Sequence, residues 1–144
     1  MKTITQNLQT LKSSLEDKPQ INIVVVTKTR SPEEIQEAIA AGATSIGENR
    51  VQEAEKKFPK IQNIGKTEKR LIGRLQSNKA KKAVKIFDTI DSVDSLKLSQ
   101  KISKAAEDLG KTQRVLLQIN SSGENTKAGF GLNNKKEILE CINT

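Results

Sequence analysis

Apolar and polar positions along the chain fall into blocks of two alternating kinds. Ile21-Asn22-Ile23-Val24-Val25-Val26-Thr27 is β-branched at nearly every position, the composition of a parallel strand covered on both faces. Residues 31 to 42 then switch to helical spacing. Ser31 can cap, Pro32 suits the first turn, Glu34 completes a capping box, Ile35, Ala38 and Ile39 form a buried stripe, and Gly42 suits the stop. The same strand-then-helix order returns four times, with strands predicted near Thr44 to Gly47, Leu71 to Leu75, Phe87 to Asp91 and Val115 to Asn120. The most regular of the later helices covers 94 to 109, where Asp94 can cap, Leu98, Ile102, Ala105, Ala106 and Leu109 line one face, and Gly110 ends it. Shorter helical patterns cover 49 to 57, 78 to 86 and 134 to 142, and an initial helix over residues 3 to 15 precedes the first strand.

Strands alternating with helices imply right-handed crossovers and a parallel sheet, either open and doubly wound or curled toward a (β/α)8 barrel. Periodicity alone does not choose between them. A complete barrel takes at least about 200 residues, so five units in 144 residues make at most part of one. The last pattern stops inside a helix that should feed a sixth strand, which reads as a truncated unit.

Composition narrows the chemistry. Only 34% of residues are apolar and the only aromatics are three Phe, so the core is expected to be lean. With no His and the single Cys141, the chain has no internal disulfide, no His-based metal site and no Ser-His or Cys-His catalytic pair. No metal is expected. The longest strongly apolar run, Ile23 to Val26, is far too short to cross a bilayer, and Met1 to Lys12 lacks the features of a secretory signal. A cytoplasmic location follows as the default. The net charge of +8 is uneven, for residues 55 to 85 hold eleven Lys or Arg against Glu55 and Glu68. Such a segment could meet nucleic acid. No row of base-stacking aromatics accompanies it, so it reads as a solvated basic face.

In either architecture ligands gather beyond the carboxyl ends of the strands. Lys28, just past the first strand, shares a face with Val24 and Val26, which would set an amine at the end of an apolar row. Desolvation there would favour the free amine, the form that attacks a carbonyl to make a Schiff base, whereas an ordinary lysine at a strand end simply reaches water. The second strand ends Gly47-Glu48-Asn49, where Gly permits close approach and Asn offers a donor and an acceptor. Gly73 to Lys79 after the third strand could hold an anion, although a capped helix start explains Ser77 and Asn78 equally well. Ser121-Ser122-Gly123 and Lys127-Ala128-Gly129 form a polar, Gly-bearing loop after the fifth strand. Neither the dinucleotide nor the P-loop glycine fingerprint occurs.

Five segments together resemble one family, the pyridoxal 5′-phosphate homeostasis proteins of the YggS or PROSC type, related to the barrel domain of alanine racemase. The matching stretches are Val25 to Thr29, Gly47-Glu48-Asn49 with Val51-Gln52-Glu53, Ile72 to Lys79, Asp91 to Ser95, and Val115 to Gly123 with Lys127 and Gly129-Phe130. The resemblance runs from the first helix to residue 142. It implies an α/β fold, an incomplete TIM-type barrel of about five βα units after an N-terminal helix, with 1 to 144 as a single partial domain lacking strands six to eight. It also implies pyridoxal phosphate as cofactor, with Lys28 matching the family's Schiff-base lysine, Asn49 an asparagine close to the cofactor, and Lys127 a lysine near the site mouth. The implied role is intracellular cofactor homeostasis without catalysis, with PLP-dependent apo-enzymes as partners and the chain either monomeric or completed by another chain.

Departures are Lys69-Arg70-Leu71 where the family usually has an aromatic-His-Phe stretch, and Arg50 where Tyr is frequent. The family's later Ser- and Gly-rich and Arg-x-Gly segments, which hold the phosphate and face the pyridine ring, are not in this sequence, so cofactor binding is expected to be impaired. A racemase-like enzyme is the alternative within the same fold, but racemisation needs an acid/base on each face of the cofactor, and the chain has neither His nor Tyr. A basic nucleic-acid-binding module is the alternative from another class.

Overall fold

A computed structural model describes residues 3–144; of the 1–144 unit expected as one domain, Met1 and Lys2 lie outside the described residues. Helix α1 (Ile4–Ser13) leads into β1 (Val24–Val26), followed by α2 (Pro32–Ala40), β2 (Ser45–Glu48), α3 (Val51–Lys57), β3 (Glu68–Leu71) and α4 (Ala80–Ile86). Then come β4 (Thr89–Val93), α5 (Leu96–Asp108), β5 (Arg114–Leu117), β6 (Ile119–Asn120), β7 (Phe130–Gly131) and α6 (Lys135–Ile142). Strands β1 to β5 form one all-parallel sheet in the order β1-β2-β3-β4-β5, and β6 pairs with β7 in a separate ribbon. Strand order equal to chain order, with no reversal, excludes the doubly wound alternative, which needs a switch point. The sheet is an arc of the barrel expected from the sequence, with β1 and β5 as its open edges.

Helices cover one face of this sheet. Ile46, Leu71 and Ile90, on three successive strands, join Ile35, Ala54, Val84 and Ile102 of the helices in the main core. Alternation sends the other residues of each strand to the opposite face. The register there aligns Val24 with Ser45 and Glu68, and Arg70 with Thr89 and Arg114. The first strand is therefore covered on one face only, against the expectation from its composition. Val26 is 48% exposed, as is Leu116 on the opposite edge, because each is on an edge strand and faces away from the helices. β1 is also shorter than 21 to 27, since β2 offers partners only to Val24, Val25 and Val26.

Local signals carry most of the helix starts. Ser31 and Glu34 form the expected capping box around Pro32, and Gly42, at φ 90°, ends that helix in a conformation costly for any other residue. At α5 the cap is Ser95, whose hydroxyl accepts from the Leu98 N–H, rather than Asp94, which pairs with Arg74. The third strand also differs from expectation. The apolar Leu71-Ile72-Gly73-Arg74-Leu75 invites a strand, yet pairing runs over Glu68-Lys69-Arg70-Leu71. Its charged side chains tolerate the sheet because Glu68 and Arg70 find partners on the adjoining strands. The expected strand at 115 to 120 breaks at Gln118, whose N–H bonds Val93 while its carbonyl accepts from Phe130, so the chain leaves one sheet for the other.

The basic stretch is not a uniformly solvated face. Of its eleven cations, Lys57, Lys69, Arg70, Arg74 and Lys82 are in ion pairs. No helix is long and apolar enough to cross a membrane among the described residues.

Candidate functional site

The site is built from the carboxyl ends of the first strands. Val26 pairs with Gly47, so Lys28 and Asn49 each stand two residues beyond that pair, on neighbouring strand ends. Gly47 leaves room on the helix-free face, where a Cβ would meet Ile72 Cδ1 at 3.0 Å and Val24 Cγ1 at 3.1 Å. Gly73, past the end of β3, lets the main chain press against Asn49, whose Cα would lie 2.7 Å from any Cβ there. Asn49, Arg50, Glu53, Lys56, Arg74 and Lys79 line an open cleft of about 600 Å³ that adjoins this rim at Asn49, and Lys28 is not among its lining residues. Its cations make it a region of positive potential.

Lys28 is exposed, contrary to the sequence expectation of an amine set in an apolar row. The row exists, but it lies on the open face of an edge strand, so water reaches it. Its main chain, by contrast, is tied down from below. Glu48 is fully buried, and its Oε1 accepts from Thr27 Oγ1 at 2.8 Å and from Lys57 Nζ at 3.0 Å. Lys57 also donates to the Thr27 carbonyl at 3.1 Å and to Glu53 Oε2 at 3.2 Å, and the same Glu53 oxygen lies 3.5 Å from the Thr29 nitrogen. The hydrogen bond from Lys57 holds the Glu53 carboxyl below its ordinary pKa, with the Thr29 N–H adding to it. Thr29 is left-handed at φ 62°. Glu48 Oε2 is buried with no hydrogen-bond partner.

A second polar cluster occupies the helix-free face lower in the sheet. Arg70 makes a bidentate pair with Asp91, both distances 3.0 Å. Glu68 accepts from Ser45, Thr89, Arg70 and Arg114, so the cluster spans β2 to β5. Burial pushes the Glu68 carboxyl up, but the hydrogen bonds from Thr89 and Ser45 and the charge of Arg70 outweigh it and hold the group below its ordinary pKa. The Asp91 hydrogen bonds raise that of Arg70.

Lys127 follows the opposite edge of the sheet from Lys28. It lies exposed in the loop between β6 and β7, beyond the last strand of the sheet, while Lys28 follows the first. The Lys127 carbonyl accepts from Asn120 Nδ2 at 3.4 Å, which helps close the loop. Sequence reasoning missed Glu48, Glu53 and Lys57. The signal available was the Glu53–Lys57 spacing of four on a helix facing a strand that ends in an acid. An accessible amine, an amide one strand away and a rim of cations suit a small carbonyl compound bearing an anionic group.

Residues 1–144 match the family model for the alanine racemase N-terminal domain. A pyridoxal phosphate homeostasis protein of Synechocystis is 40% identical over 112 residues, covering 78% of this chain and 51% of that protein. One of Vibrio alginolyticus is 32% identical over 153 residues, covering 99% of this chain and 66% of that protein. Among solved structures, PipY of Synechococcus elongatus with PLP bound has 38% identity and a TM-score of 0.82, covering 89% of this chain and 58% of that one. Alanine racemase of Clostridium difficile has 25% identity and a TM-score of 0.77, covering 96% of this chain and 36% of that one. The chain thus spans between half and two thirds of the curated relatives it matches. It belongs to the alanine racemase N-terminal domain family, and within that family it is similar to the pyridoxal phosphate homeostasis proteins.

Proposed function

We propose that this chain binds pyridoxal 5′-phosphate through a Schiff base on Lys28 and serves intracellular cofactor homeostasis as a carrier rather than a catalyst. The observation that carries the reading is an exposed primary amine at the carboxyl end of the first barrel strand, with the strand end beneath it anchored by Glu48 and Lys57. The PLP-bound PipY structure, at 38% identity, supports the choice of cofactor. In this reading the cofactor supplies an aldehyde and the chain supplies the amine. Asn49 offers an amide on the next strand end and also borders the adjoining cleft, whose Arg50, Arg74 and Lys79 are cations suited to a phosphate. Lys127 would act as a secondary contact at the site mouth. Residues 1–144 are read as one unit of five βα repeats, and delivery to PLP-dependent apo-enzymes is the partner role that goes with it.

Racemisation is disfavoured although the fold is shared with alanine racemase, because the chain has no His and no Tyr to serve as the second acid/base. The test is the absorbance spectrum of the purified chain with pyridoxal phosphate, before and after borohydride, beside Lys28→Ala. A reducible band present in the parent and lost in Lys28→Ala is the expected result. A soluble, folded parent without the band, or a band that survives the substitution, overturns the assignment.

A further inference from the structure

The ion cluster beneath the rim does more than fill space under the sheet. The direction in which the Lys28 side chain leaves the backbone is set by the two peptide units flanking its Cα. One contains the Thr27 carbonyl and the other the Thr29 N–H. Lys57 Nζ donates to the first at 3.1 Å, and Glu53 Oε2 lies 3.5 Å from the nitrogen of the second. Lys57 and Glu53 are themselves joined at 3.2 Å, and Glu48 anchors both Lys57 and the Thr27 hydroxyl. A single set of three charged side chains from β2 and α3 therefore holds the backbone on both sides of Lys28. We infer that Lys57 is a positioning residue for Lys28, acting with Glu48 and Glu53 as a clamp that presents the Lys28 amine to an incoming aldehyde.

Two further observations favour a positioning role over plain stabilisation. Glu48 Oε2 is buried without a partner, and apolar residues of similar size would generally stabilise such a place as well or better. A buried charged group retained at that cost suits a place where geometry matters. Thr29, a β-branched residue, is held at φ 62°, a conformation that persists only where the surroundings over-determine it. The Arg30 N–H closes the turn on the Thr27 carbonyl at 3.1 Å, and the clamp adds bonds to that same carbonyl and to the Thr29 N–H.

The inference rests on Lys28 as the cofactor lysine, and the test separates the two. Pyridoxal phosphate is added to the full chain and trapped with borohydride. Peptide mapping then gives the adduct on Lys28 relative to that on Lys97 and Lys101, two exposed lysines of α5. The parent is compared with Lys57→Met and Glu53→Gln, each first checked for a cooperative melt. Amide hydrogen exchange at Thr29 is followed in the same proteins without cofactor. The expected result is a Lys28 ratio lowered about tenfold in Lys57→Met and about threefold in Glu53→Gln, with Thr29 exchange faster by factors of the same order. An unchanged ratio and unchanged Thr29 exchange in folded Lys57→Met overturn the inference, and if that variant does not fold, Glu53→Gln decides in the same way. If Lys28 carries no excess adduct in the parent, the cofactor reading fails, and Thr29 exchange alone judges the clamp.

Discussion

The two ion clusters lie on opposite faces of one sheet, and they distribute their charges differently. Beneath the rim, two carboxylates, Glu48 and Glu53, share the single ammonium of Lys57, and their other partners are the Thr27 hydroxyl and the Thr29 N–H in the turn after β1. On the helix-free face, Glu68 and Asp91 are matched by Arg70 and Arg114, with Ser45 and Thr89 adding hydroxyl donors. The first arrangement fixes one short piece of backbone and has one cation on which everything depends. The second ties four strands side to side, and Glu68 keeps other donors if one is lost. A fixed point and a redundant lattice should therefore fail in different ways.

Lys57→Met is expected to give the largest effect. It leaves the fully buried Glu48 without its cation, a loss of about 3–5 kcal/mol on the scale of broken buried pairs. Urea unfolding at pH 7 measures it, and the double variant Glu48→Gln with Lys57→Met should recover more than half of the loss, because the uncompensated charge is gone. A double variant no better than the single one would remove the distinction drawn between the clusters. Arg70→Met comes next, at about 1.5–3 kcal/mol by the same measurement, since it removes a bidentate charged pair while Arg114 and two hydroxyls still serve Glu68.

The smallest effect is on pH dependence. Glu53 and Glu68 both have folded-state pKa values lowered from 4.5. Below that value the unfolded chain takes up protons that the folded chain resists, so the stability these groups contribute is complete above 4.5 and is lost as pH falls through the folded values. Melting curves between pH 7 and pH 3 should show this decline, less steep in Glu68→Gln. An equally steep decline in that variant would deny the helix-free cluster its share.

The architecture was legible because the signals that define a βα repeat are local. Ser31-Pro32 with Glu34, the stripe of Leu98, Ile102 and Ala105, and the valine run each state their element within one window. The third strand was misread for the opposite reason. Glu68 and Arg70 look like loop residues until Ser45 and Asp91, twenty or so positions away, supply their partners. The site divides in the same way. Lys28 and Asn49 could be named from strand ends and family likeness. The solvent exposure of Lys28 could not, because it follows from a helix-free face and an edge position that only the assembled sheet reveals. Glu48 and Lys57 were invisible as partners because nothing in a linear reading shows which helix residue lies under which strand end.

The strict serial order of the sheet also bears on how the molecule comes apart. Each strand hydrogen-bonds its neighbours in sequence, and helices adjacent in the chain also pack together, α1 with α2, α3 with α4, α4 with α5 and α5 with α6. Such a chain behaves less like a single lock than like a row of leaning books, in which disturbance passes from one volume to the next. The outermost units are expected to fray before the central strands β2 to β4, each of which has a neighbour on both sides. The candidate amine belongs to one of those outermost units, joined to the rest of the row by the ladder of β1 with β2 and by the few bonds from the segment after β1 to α3.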